Sequence, residues 1–205
     1  MKWTRLTTLI LVFVCISRGT DVKEKHDRKQ LCVADMEFET ALKSAKAGDA
    51  VAMNNLGDCY FFGKGVAKNE KLGYECFLKS AKAGHAVAMR TVGTCYFHSQ
   101  GVDKNVKAAV EWYLKGAQAG DAVAMCALGH CYFSGQGVDK NVKAAMEWYL
   151  KGAQAGDAAA MCCIGYCLRF GYRYGISKND EAGLHWLNKA LAAGDLQAAK
   201  YLYWC

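Results

Sequence analysis

The sequence predicts an all-α protein, a solenoid of helix–turn–helix hairpins stacked at a period of 36 residues. Three observations carry this. Gly84 to Ala119 returns as Gly120 to Ala155 without a gap and with 8 of 36 positions changed. Weaker copies run from Gly48 to Ala83 and, with two residues inserted, from Gly156 to Ala193. The 205 residues are 53% hydrophobic and 22% charged with no proline, which excludes a disordered chain and leaves the turns to Gly, Asn, Asp and Ser. A fixed period of this size marks units that bury their apolar faces only against their neighbours.

The first element lies outside the repeats. Lys2 and Arg5 precede an apolar run from Leu6 to Ile16, and Ser17-Arg18-Gly19 supplies small residues suited to cleavage. Residues 1–19 therefore read as a secretory signal peptide, too short to span a bilayer, which takes about 20 residues. Cys15 follows Val14, so the run is a poor lipobox. Removing it lowers the net charge from +7 to +4, with no dense basic block left to bind nucleic acid or anionic lipid. Residues 20–32 form a mixed-charge leader, and 33–205 the solenoid.

Within the solenoid, 33–47 reads as an unpaired second helix. Full repeats follow at 48–83, 84–119, 120–155 and 156–193, and an unpaired first helix at 194–205 closes the stack. Take Gly120 to Ala155. Gly120 ends the preceding helix at a position needing positive φ, and Asp121 caps the next, as do Asp49, Asp157 and Asp195, with His85 the exception. Helix A runs to about Phe133, with Ala124, Leu128 and Cys131 on one stripe. Gly129 interrupts it at about 1 kcal/mol against Ala. Its recurrence as Gly57, Gly93 and Gly165 implies close helix–helix approach. Gly135 to Val138 make the turn, and Asn141 caps helix B. Ala145, Trp148 and Ala153 are expected to face helix A, with Tyr149 and Leu150 beside them.

Leu128-Gly129, Tyr132, Gly135, Gly137-Val138, Lys140-Asn141, Lys143-Ala144, Trp148, Lys151, Ala153 and Gly156 together resemble the Sel1-like repeat family, relatives of tetratricopeptide repeats. The resemblance extends over residues 36 to 205. It departs from the pattern at Cys76, which stands in the place of the Trp, and at an insertion from Arg169 to Ser177. It implies a right-handed α/α solenoid with a scaffold or adaptor role, and secreted bacterial members are linked to host or envelope contacts. A cysteine-rich branch of the family has been associated with β-lactam binding. A penicillin-binding or weak β-lactamase-like hydrolase is therefore the alternative to a non-enzymatic scaffold, and a passive spacer is a third reading.

Ten cysteines remain after the signal peptide. Cys59, Cys95, Cys131, Cys167 and Cys205 share one register of helix A. Equivalent helices lie about 8–10 Å apart, while a disulfide needs Cα atoms within about 7 Å, so these read as small core residues. Cys59 and Cys76 are the candidate bridge, within one hairpin. In the cysteine-rich branch the helix-A Cys precedes the Leu-Gly pair by three residues. Met53, Met89, Met125 and Met161 hold that place here, so its bridging scheme does not carry over.

No cofactor or metal ligand is assigned. There is no C-x-x-C pair, Cys126 and Cys131 diverge around their helix, and Cys163 and Cys167 share a face but have no histidine close in sequence. The five histidines share no register, and no hydrolase or phosphate-loop motif is present. His130 and Cys131, as adjacent helical residues, point apart.

The near-duplicate repeats differ unevenly. Seven of the eight changes fall in the first 16 positions, helix A and its turn. In tetratricopeptide-like stacks helix A lines the concave face, so two rows become candidate contacts for a protein or peptide partner. One is Asp58, Thr94, His130, Tyr166 and Trp204. The other, four residues earlier, includes Asn54, Arg90 and Lys200. Variety along a groove is what recognition needs, although drift on a tolerant surface gives the same pattern.

Overall fold

The computed structural model describes residues 35–171 and 175–203, and the segments expected to be signal peptide and leader, with Trp204 and Cys205, lie outside them. All regular structure among the described residues is helical. Helix α1 spans 35–46. Four hairpins follow: α2 (Ala50–Phe62) with α3 (Glu70–Lys82), α4 (Ala86–His98) with α5 (Val106–Gln118), α6 (Ala122–Ser134) with α7 (Val142–Gln154), and α8 (Ala158–Arg169) with α9 (Asp180–Ala192). Helix α10 (Gln197–Tyr203) closes the stack. Each hairpin packs more closely within itself than on the next, as a solenoid must. None of the described helices is long and apolar enough to cross a membrane.

Caps set the helix starts. Asp49, Asp121 and Asp157 accept from backbone amides of the first turns of α2, α6 and α8, and Asn69, Asn105, Asn141 and Asn179 do so for α3, α5, α7 and α9. Each such bond is worth about 1 kcal/mol. His85 makes no cap bond at α4. Its ring lies 3.3 Å from Ser80 Oγ, which itself donates to the Ala50 carbonyl.

The inner face of helix B is rotated one residue from expectation. Ala145, Tyr149, Gly152 and Ala153 are buried on α7, with Tyr149 only 1% exposed. Trp148 is half-buried and packs at the edge of the Tyr113–Leu128 cluster that α5 of the preceding repeat forms with α6, with Lys151 Nζ 4.3 Å from its ring centroid. One residue turns a helix by about 100°, so two adjacent aromatics cannot both face α6. Tyr149 is the one that does, because Gly129 leaves room. A Cβ on Gly129 would lie 2.6 Å from the Tyr149 ring, and one on Gly93 would lie 2.7 Å from Tyr113.

Cys59, Cys95, Cys131 and Cys167 are buried, as small core residues should be. Cys59 and Cys76 are both free thiols. Cys76 occupies the half-buried place of Trp112, while Phe77 takes the inner face against Gly57. Arg169, where the expected insertion begins, is the last residue of α8. Arg169 Nη1 donates to the carbonyls of Tyr201 at 2.6 Å and Leu202 at 3.0 Å, which ties down the end of α10.

Candidate functional site

The A helices of successive repeats touch one another, α4 with α6, α6 with α8 and α8 with α10. The two candidate rows run along this contact and behave differently. The row of Asn54 and Arg90 is a seam rather than a groove. Asn54 is buried with its Oδ1 unpartnered. Arg90 is half-buried, and its Nε donates to Asp121 Oδ1 at 3.1 Å and Oδ2 at 3.3 Å while Asp121 caps α6. Cys126 and Cys162 follow in register, also buried. Each faces the capping aspartate of the next repeat, Asp157 and Asp195. Burial, with Asp195 beside it, pushes the Cys162 thiol up to about 12. At Arg90, Cys126 and Cys162 the physical cause is the cap: its carboxylate reaches back over the preceding A helix and covers the row. Lys200 alone stays exposed.

The second row is more accessible. Asp58 is half-buried beside an open groove of about 710 Å³ between α1 and α2, and burial raises its carboxyl pKa. Thr94 Oγ1 donates to the Arg90 carbonyl at 3.1 Å and lies 3.3 Å from Tyr113 Oη. His130 is exposed, and its Nδ1 lies 3.1 Å from Tyr149 Oη. The Tyr166 ring sits 4.7 Å from that of Tyr201 and 5.0 Å from that of Phe170, centroid to centroid. A cavity of about 320 Å³ opens here, lined by His130, Tyr149, Cys163, Tyr166, Asp195 and Tyr201 among others.

The stacking also makes a cluster that sequence spacing did not foresee. Cys126 and His130, one turn apart on α6, meet Cys163 of α8, and their ligand atoms all lie within 4.8 Å of one another. Cys163 Sγ is 3.6 Å from His130 Nε2. Contact with Cys126 and His130 holds the Cys163 thiol below the ordinary thiol range, and contact with Cys163 raises His130. Cys126 is shifted the opposite way, by Cys163 and by burial. The histidine that Cys163 lacks close in sequence thus comes from 33 residues upstream. Cys126 and His130 at i and i+4 were the legible half of the signal.

Residues 50–85, 86–121, 122–157 and 158–195 each match the family described as Sel1 repeat. Among solved structures, the chain is similar to a Sel1 repeat protein from Oxalobacter formigenes, at 34% identity and TM-score 0.78 over 82% of this chain and 68% of that one. It is also similar to c5321, described as a protective antigen of uropathogenic Escherichia coli with an SLR fold, at 26% identity and TM-score 0.72. That match covers 80% of this chain and 35% of c5321. Cysteine rich protein B of Helicobacter pylori, at 20% identity and TM-score 0.51 over 62% of this chain and 91% of that one, shares the fold. Comparison with curated protein sequences gives no match.

Proposed function

The chain belongs to the Sel1 repeat family, and from that premise we propose that it is a secreted or periplasmic scaffold holding a protein or peptide partner along its A-helix face. The observation that carries this is the contrast between its two helix sets. Helices α5 and α7 differ at one position, Val110 against Met146, whereas the junctions between A helices present a different set of side chains at each step. Asp58, Thr94, His130 and Tyr166 are the contact residues of this reading, with Trp204 next in the same sequence register and Lys200 the exposed member of the neighbouring one. Export rests on the N-terminal run of residues 1–19, and the protective-antigen relative fits a location outside the cytoplasm.

Photo-crosslinking residues placed singly at His130 and Tyr166, and at the exposed Glu111 and Glu147 of the B helices, test the face. The reading requires one partner band from envelope or host extract that forms at the first pair and not at the second. A band confined to Glu111 and Glu147 would move the binding face to the B helices. Mass spectrometry of the exported protein should find Met1 removed and a new terminus near Thr20.

A further inference from the structure

The geometry points to a metal site at the junction of the third and fourth repeats, in which Cys126, His130 and Cys163 bind a thiophilic divalent ion of the zinc type. The donor set is right for such an ion: two thiols and an imidazole, with no hard oxygen ligand required. The spacing is right as well. Zinc bonds of about 2.0 Å to nitrogen and 2.3 Å to sulfur place the donors of a tetrahedron about 3.5–3.8 Å apart. His130 Nε2 and Cys163 Sγ stand at 3.6 Å, and all three donors lie within 4.8 Å of one another.

The far ring nitrogen is also provided for. Tyr149 Oη lies 3.1 Å from His130 Nδ1, so an Nδ1–H can donate to the tyrosine while Nε2 turns its lone pair to the ion. A partner on the far nitrogen that fixes tautomer and ring orientation is the usual support of a metal-bound histidine. Tyr149 is anchored for this by its burial against Gly129. Three protein ligands leave a fourth position, and His130 and Cys163 line the cavity that Tyr166 and Tyr201 share, from which water or another donor completes the tetrahedron. The other junctions cannot do this. The matching places hold Asn54, Asp58 and Thr91, then Arg90, Thr94 and Ala127, then Cys162, Tyr166 and Tyr201.

The full reduced chain is titrated with Co2+ under anaerobic conditions, and with Zn2+ against a chromophoric chelator. One equivalent should bind, with Co2+ giving near-ultraviolet thiolate charge-transfer absorption and intense tetrahedral visible bands. Cys163→Ala and His130→Ala should each weaken Zn2+ binding by at least about 100-fold. Cys76→Ala, removing a half-buried thiol elsewhere, should leave it unchanged. Cys126 is buried, but Cys163 and His130 are reachable from solvent, so their variants keep the test valid if Cys126→Ala fails to fold. Co2+ spectra without thiolate bands, binding retained in the Cys163→Ala/His130→Ala double variant, or a Cys126–Cys163 disulfide in the protein as isolated would each overturn the site. None of these outcomes bears on which face holds a partner.

Discussion

In the second repeat, the junction toward the next A helix is closed by Arg90 on Asp121, with Thr94 and Ala127 beside it. In the third, the same three places hold Cys126, His130 and Cys163, and the ion pair gives way to a thiol–imidazole–thiol cluster. Around these places little changes. Tyr113 and Tyr149 fill the same inner position, and each sends its hydroxyl toward the residue of the more accessible row, Thr94 at 3.3 Å and His130 at 3.1 Å. Chemistry here is therefore a property of a junction rather than of a repeat. Two of its residues come from one A helix and the third from the next, while the hairpins beneath stay interchangeable.

The largest losses should come from what the two repeats share. Tyr113→Ala and Tyr149→Ala should each cost about 3–5 kcal/mol in denaturant unfolding, by nearly equal amounts. Trp148→Ala should cost less, about 1–3 kcal/mol, because that ring is half-buried. A Trp148 loss as large as that of Tyr149 would mean that the junction carries as much of the core as the hairpin does.

The next change separates the repeats. Arg90→Ala leaves the Asp121 side chain, 6% exposed, without its cation and should cost about 1–3 kcal/mol in the same measurement. No variant at Cys126 can reproduce that loss through an ion pair. A smaller effect lies at the end of α4. Ser99 holds φ 61° where Gly63 and Gly135 hold 72° and 73°. Ser99→Gly should gain about 0.5 kcal/mol, after the Ser99 Oγ bond to the Val102 carbonyl is given up.

The smallest extends the comparison to the first junction, where Phe77 offers Asp58 no hydroxyl. Burial raises the Asp58 pKa above 3.8 in the folded state. Between the two values the folded protein binds more protons than the unfolded, so stability falls as pH rises through that window. Asp58→Asn should therefore raise the thermal midpoint at neutral pH and leave it unmoved below about 3.8.

The hairpins, their caps and the Gly129 contact were legible because they rest on local spacing: Asp121, Asn141 and the i, i+4, i+7 stripe all act within one repeat. The inner aromatic was not. Trp148 and Tyr149 are adjacent, and periodicity cannot decide between neighbours when both are large and apolar. The junctions were still less legible. That Cys163 meets Cys126 and His130, or that Asp121 covers Arg90, depends on how far each repeat advances over the last, and that advance is set by packing between hairpins. Hence Asn54 and Arg90, expected at a groove, lie in a seam.

The sameness of α5 and α7 reaches back to how the chain folds. Each offers α4 nearly the same inner surface, Ala109 and Tyr113 in one case and Ala145 and Tyr149 in the other, so α4 paired with α7 would satisfy most of the native hairpin contacts with 36 residues looped out. Closing that longer loop costs only a little more entropy, since the penalty grows with the logarithm of length. Local contacts offer little to reject such a product. What rejects it is the ladder of unlike junctions: α7 in the place of α5 would separate Cys163 from His130 and Asp121 from Arg90. Residues that look like ornament on a repetitive frame thereby number the repeats, and refolding yield rather than native stability is where their removal should first be felt.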